Sequence, residues 1–138
     1  MKWVVDCSFT SALFIPNEYS VSVERFFNHL PPEGVLYVPS VWWAEVTNVL
    51  YEAVKREVLQ RTDVLMILGL FREMGIITDT MTGYEYGATL HELASDYRIS
   101  AYDASYIELS LRRSAALGSV DPQIVRAAEL AGIQTAGF

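Results

Sequence analysis

Trp3-Val4-Val5-Asp6-Cys7-Ser8 and Leu117-Gly118-Ser119-Val120-Asp121 share one design, a short uncharged run that stops at an aspartate. Runs of this length that end at a polar residue read as buried strands. Between them the pattern alternates. Ser8 to Phe14 begins a short helix, and Val21 to Leu30 makes a second, with Val23, Phe26, Phe27 and Leu30 at helical spacing. Pro31-Pro32-Glu33-Gly34 breaks it, and Val35-Leu36-Tyr37-Val38 is the next strand.

Ser40 is positioned to cap a long helix reaching about Arg56, whose apolar stripe is Trp42, Val46, Val49, Leu50 and Ala53. Another helix spans about Leu59 to Met74, with Val64, Leu65, Leu68 and Phe71 facing inward. Ile76-Ile77-Thr78 is a third strand. Thr82 and Glu85 have capping-box spacing ahead of a helix with Tyr86, Leu90, Leu93, Ala94 and Tyr97 on one face. A further helix opens at Tyr102-Asp103 and turns Ala104, Ile107 and Leu111 inward. After the strand ending at Asp121, Pro122 suits a first helical turn, Gly132 ends that helix, and Ile133-Gln134-Thr135 is a candidate fifth strand. Strands alternating with helices, without hairpin signals, predict an α/β fold. It is a three-layer α/β/α sandwich on a mostly parallel sheet of about five strands.

The 138 residues show no linker, repeat or low-complexity tract, so one domain covering 1–138 is expected. No leader-like segment precedes Trp3, and the longest apolar run, Val64 to Phe71, is too short to span a membrane. A soluble, cytoplasmic protein is the expectation. Cys7 is the only cysteine, which excludes an internal disulfide and a thiolate metal cluster. Seventeen acidic and ten basic residues give a net charge of −7, which argues against a non-specific binder of long nucleic acid unless a cation offsets the acidity locally.

Ligands of such sheets bind beyond the carboxyl ends of the strands. Asp6 and Asp121 stand there; Asp103 opens a helix, and Glu45 borders the apolar stripe of the long helix. Each acid has an ordinary alternative. Asp6 and Asp103 could be helix caps, Asp121 a turn residue before Pro122, and Glu45 a solvated helical side chain. Taken together, the four can converge on one cleft. Two carboxylates about 4 Å apart repel by roughly 4 kcal/mol at an effective dielectric near 20, so such a group protonates or binds a cation. An oxygen-only donor set selects Mg²⁺ or Mn²⁺, and the chemistry these ions serve best is phosphodiester hydrolysis.

Four segments resemble the motifs of the PIN-domain family. They are Val4-Val5-Asp6-Cys7-Ser8, Trp43-Ala44-Glu45-Val46-Thr47-Asn48, Ile99-Ser100-Ala101-Tyr102-Asp103-Ala104-Ser105-Tyr106, and Leu117-Gly118-Ser119-Val120-Asp121 with Gly132-Ile133 beyond. Their order and spacing match over nearly the whole chain, and the length is similar to that of VapC-type toxins of toxin–antitoxin pairs. The resemblance implies a divalent-cation-dependent endoribonuclease acting on RNA, with Asp6, Glu45, Asp103 and Asp121 as catalytic and metal-holding residues and Ser8 and Asn48 in support. It also implies a homodimer and a cognate antitoxin. The chain departs from the pattern in having Pro122-Gln123 after the fourth aspartate, where many such toxins carry a base; here the nearest is Arg126.

Among the other residues, Cys7 reads as small buried filler and His29 and His91 as surface or packing residues. Trp42 is expected in the core and Trp43 at an interface or half-covered at the surface. Arg98, Arg112 and Arg113 are candidates for phosphate contact, although bases at a helix C-terminus also suit its dipole. Asp79 and Asp96 are expected to be solvated. A haloacid-dehalogenase-type phosphatase would need an acid where Ser8 stands, and a receiver-like module would need a lysine after a late strand, whereas the only lysines are Lys2 and Lys55. An RNA-processing nuclease without a toxin role, or a catalytically weak PIN binding module, are the alternatives within the family.

Overall fold

The computed structural model describes every residue from Met1 to Phe138. The strands are β1 (Lys2–Val5), β2 (Val35–Pro39), β3 (Ile77–Asp79) and β4 (Ala116–Gly118). The helices are α1 (Cys7–Ser11), α2 (Ser20–Asn28), α3 (Val41–Lys55), α4 (Arg61–Glu73), α5 (Tyr84–Tyr97), α6 (Ala101–Arg113) and α7 (Pro122–Leu130). The strands pair in the order β3-β2-β1-β4, and every pairing is parallel. The chain therefore builds outward from β1 to β2 and β3, then returns to lay β4 on the other side of β1. That reversal puts the topological switch point between β1 and β4, where open parallel sheets leave a crevice.

Trp3, Val4 and Val5 are all buried. Successive strand side chains point to opposite faces, so both faces of β1 are covered, as parallel sheets require. α6 packs against β1, β2 and β4, and α3 packs against β2 and α1. One apolar cluster joins the sheet to Phe9, Val23, Trp42, Phe71, Tyr106 and Ile124. Gly118 matters because a Cβ there would stand 3.1 Å from the Phe9 ring, too close for the ring to remain where it is. No helix is long and apolar enough to cross a membrane.

The sheet has four strands where about five were expected. Ile133-Gln134-Thr135 comes alongside β4 but forms a single parallel bridge, Leu117 to Thr135, with one hydrogen bond from Leu117 N–H to the Gln134 carbonyl at 2.9 Å. Gly132 and Gly137 flank this segment at positive φ (78° and 81°), which turns the backbone away from the ladder on both sides.

Several local expectations also change. Ser40 is itself helical (φ −58°, ψ −31°) and makes no side-chain cap, so α3 starts directly from the strand. Gly83, at φ 101°, precedes α5, and neither Thr82 nor Glu85 caps it. Leu65 is 78% exposed and Leu111 45% exposed; Ile67 takes the buried position in α4. A three- or four-residue spacing fixes which residues share a face but leaves the centre of that face free to rotate by one position.

Asp79 is the largest departure. It is buried rather than solvated, and Arg112 grips it with two bonds, Nη1 to Oδ1 at 2.9 Å and Nη2 to Oδ2 at 2.7 Å. The same guanidinium donates from Nε to Glu108 Oε2 at 2.9 Å, and Glu108 is also buried. Arg113 stands 3.7 Å from Asp79. Arg112 therefore clamps α6 to the end of β3. The clamp engages Nε, Nη1 and Nη2 together, and it holds the Asp79 carboxyl below its usual range.

Arg112→Ala would leave Glu108 buried without a partner and Asp79 with only the Met81 N–H and the more distant Arg113. The expected loss is about 3–5 kcal/mol of folding stability, read as a lower urea midpoint. Adding Asp79→Asn and Glu108→Gln to that variant should restore much of the loss. A single variant that unfolds like wild type would show the clamp to be energetically idle.

Candidate active site

β1 ends at Val5, and the Asp6 N–H donates to the Gly118 carbonyl of β4 at 3.0 Å, so Asp6 sits on the switch point. It is nearly inaccessible, at 2% exposure. Its Oδ1 accepts from the Phe9 N–H at 2.8 Å, which makes Asp6 the N-cap of α1, and from the Ser8 hydroxyl at 2.8 Å. Its Oδ2 accepts from the Ser119 hydroxyl. Each serine hydroxyl also accepts a backbone N–H, Ser8 from Val120 across the crevice at 3.1 Å and Ser119 from Asp121 within its own loop at 3.0 Å. Two serines thus sew the end of β1 to the β4–α7 connection and aim the Asp6 carboxylate between them.

Asp121 is the N-cap of α7, with Oδ1 accepting from Gln123 N–H at 2.9 Å ahead of Pro122 in the first turn. Asp103 is not a cap. Ser100 caps α6 by accepting the Asp103 N–H at 3.0 Å, which leaves the Asp103 carboxylate on the first turn facing the crevice. Glu45 comes from α3. The buried Trp42, one turn earlier, donates its indole N–H to Thr10 Oγ1 at 3.0 Å, and Thr10 in turn donates to the Asp6 carbonyl at 2.9 Å. This relay locks α3 to the end of β1. The Tyr106 hydroxyl of α6 donates to Glu45 Oε1 and fixes the carboxylate itself.

The four acids expected to converge do so. Asp6, Glu45, Asp103 and Asp121, with Cys7, Ser8, Tyr106 and Ile124, line one cavity of about 80 Å³. Ser8 is therefore in place. Asn48 is not, because one turn beyond Glu45 it lies on the exposed face of α3. Ser119 and Tyr106 were not singled out as site residues. Tyr106 stands three positions after Asp103, on the same helical face, and Ser119 two positions before Asp121, so spacing relative to the acids was the available signal. Cys7 is half-buried, and burial pushes its thiol up to about 12, which removes it as a nucleophile.

No lysine or arginine pairs with any of the four acids. Burial pushes the Asp6 carboxyl up to about 6; donation from Ser119, Phe9 and Ser8 opposes this, and the charge of Asp121 adds to it. Glu45 is raised by burial, against the Tyr106 bond, and further by Asp103. Asp103 is raised by burial and then by Asp121, with Ser100 opposing. Three of the four acids therefore carry their charge at a cost.

The donor set fits a hard divalent cation. It is oxygen-only, and its cavity has room for an ion and a few waters, taking about 30 Å³ of liquid volume per water. No three of the acids stand close enough to cage one ion by themselves. A cation held here would complete its shell with water or substrate oxygens, as Mg²⁺ commonly does.

An acid whose folded-state pKa is raised stabilises the fold below its unfolded pKa and stops doing so as pH rises through the folded value. For Asp6 that window runs from about 4 to about 6. In chelator, Asp6→Asn should therefore gain stability over wild type as pH rises from 4 to 7, by on the order of 1–3 kcal/mol. Parallel thermal melts across that range check it, and a difference that stays flat with pH would remove the electrostatic cost from Asp6.

No family model matches the chain. Ribonuclease VapC3 of Pyrobaculum aerophilum is 27% identical over 127 residues, which covers 90% of this chain and 92% of that protein. The fold matches the crystal structure of Mycobacterium tuberculosis VapC20, a sarcin–ricin-loop-cleaving toxin, with a TM-score of 0.73 and 15% identity over 91% of this chain and 94% of the other. It also matches VapBC2 from Rickettsia felis, solved on a DNA fragment from its promoter, with a TM-score of 0.72 and 11% identity over 98% of this chain and 97% of that one. The likeness to PIN-domain, VapC-type proteins carried by the four sequence motifs thus extends to the fold and to a relative aligned over nearly its whole length.

Proposed function

We propose that the chain is a divalent-metal-dependent endoribonuclease, the toxin of a type II toxin–antitoxin pair, with Asp6, Glu45, Asp103 and Asp121 as its catalytic acids. The observation that carries this reading is the meeting of those four side chains, from four separate elements, at the β1/β4 switch point with no basic partner. The likeness to Ribonuclease VapC3 supports RNA as the substrate class.

Asp6, Asp103, Glu45 and Asp121 would hold Mg²⁺ or Mn²⁺ between them, in part through the ion's own waters. Once bound, the cation supplies Lewis acidity toward a phosphate oxygen and makes an adjacent water acidic. The chain's own part is positioning. Ser8, Ser119 and the Phe9 N–H hold Asp6 in one rotamer, Tyr106 holds Glu45, and the two helix caps fix Asp121 and the first turn of α6. Neutral donors orient these carboxylates without cancelling their charge, which is what a cation site requires.

A cognate antitoxin is the proposed partner, in line with the VapBC2 assembly among the structural relatives. Leu65, Met66 and Leu70 give α4 an exposed apolar face of the kind a homodimer or antitoxin contact buries.

RNA cleavage should require Mg²⁺ or Mn²⁺ and stop in EDTA. Asp103→Asn should lower the cleavage rate by about 10²-fold or more while folding normally, because it removes a carboxylate that would hold the cation against the reacting phosphate. Mn²⁺ should raise the melting temperature of wild type, since it binds only the folded site, and should do so less for Asp103→Asn. Undiminished cleavage in excess EDTA would overturn the mechanism.

A further inference from the structure

An RNA strand brought to this site must place the phosphates that flank the scissile one, and the protein's charge is −7. Of the ten lysines and arginines, Lys55, Arg72, Arg112 and Arg113 each face a carboxylate. Lys2, Arg25, Arg56, Arg61, Arg98 and Arg126 do not. Two of these come together. Arg126, on α7, stretches to the α5–α6 junction, where Nη2 donates to the Tyr97 carbonyl at 2.9 Å. That carbonyl belongs to the peptide bond joining Tyr97 to Arg98, so one arginine is anchored on the backbone of the other.

The position of this pair is defined by the chain. Arg98 lies two residues before Ser100, the cap of the helix that presents Asp103. Arg126 lies on the helix capped by Asp121 but, two residues on from the cavity-lining Ile124, it projects from another side of that helix, and its guanidinium reaches the junction that leads into α6. Both arginines are exposed. A single hydrogen bond to a carbonyl uses one of five guanidinium donors and neutralises no charge.

Arg98 also holds a backbone conformation that a side chain does not favour. It ends α5 in the left-handed region, φ 55° and ψ 51°, where glycine is preferred.

We propose that Arg98 and Arg126 form a binding site for the RNA backbone beside the four-acid centre, taking a phosphate that flanks the scissile bond. This inference rests on the nuclease reading and extends it to how an acidic protein retains a polyanion. The pair acts by positioning, not in the chemical step.

The test is binding of a fluorescein-labelled, mixed-sequence single-stranded oligoribonucleotide to the full chain carrying Asp103→Asn, across a salt series, beside cleavage kinetics in the otherwise native chain. Each phosphate contact on a single strand contributes a slope of about 0.7 in log K against log salt. Arg98→Gly and Arg126→Gln should each make the slope shallower by about that amount, raise KM, and leave kcat near wild type. Arg98→Gly is the sharper variant. If Arg98 serves only to end a helix, glycine there is at least as stable and changes neither slope nor KM, and that result would overturn the proposal. Arg126→Gln melting early with an unchanged slope would likewise reduce Arg126 to a strap between helices.

The outcomes also separate the two readings. Salt-dependent RNA binding that both substitutions weaken, in a chain that cleaves no RNA with Mg²⁺ or Mn²⁺, would sink the nuclease and keep the arginine site. Metal-dependent cleavage with unaltered slopes would sink the arginine site alone.

Discussion

The gathering of Asp6, Glu45, Asp103 and Asp121 in one crevice, where burial first and neighbouring charge second oppose ionisation, is the constraint around which the rest of the molecule is arranged. Left free, four carboxylates turn outward into water. Here they are drawn into one small crevice and three of them are pushed above their ordinary pKa range. The fold meets that cost with rigidity. A parallel sheet with β1 and β4 adjacent places two strand ends side by side, and the sequence puts an acid after each. Tertiary packing then adds the other two, from α3 and from the first turn of α6.

Hydrogen bonding explains why the acids stay there. Ser8 and Ser119 each donate to Asp6, and Ser8 also accepts the Val120 N–H, so the β4–α7 loop can withdraw only by breaking the Ser119–Asp6 and Val120–Ser8 bonds. Trp42 acts at longer range. Its buried ring belongs to the core, yet its N–H sets α3 through Thr10 against the Asp6 backbone, which fixes where Glu45 can reach. Core packing and site geometry are one network here, so a substitution at Trp42 would disturb the site without touching it.

The sequence carried much of this in readable form. Strand–acid endings at Asp6 and Asp121 are local signals, and so is the helical alternation that implies a parallel sheet. Where reading by spacing failed, the missing information was three-dimensional. Leu65 and Ile67 differ by the rotation of α4 about its axis, which only its neighbours set. The Ile133–Thr135 segment has strand character, but its flanking glycines limit it to one bridge. Asn48 shares a helical side with Glu45, yet one turn carries it out of the crevice. Asp79 looked like any loop acid because its partner, Arg112, lies thirty-three residues away.

The contrast between the two buried acidic clusters carries the functional argument furthest. Asp79 and Glu108 are closed by the Arg112 guanidinium, which supplies charge and a matched fork of donors together. Nothing more can enter, and Asp79 is held below its usual range. Asp6, Glu45, Asp103 and Asp121 receive only serine, tyrosine and backbone donors, which fix direction and leave charge uncompensated. The same chain therefore neutralises acids fully where they serve structure. Where it withholds an arginine, it keeps both the cavity and the pKa cost, a cost that a bound cation would relieve. A helix cap alone explains Asp6 or Asp121 singly; it does not explain why both caps open into one cavity with Glu45 and Asp103 and exclude every basic side chain.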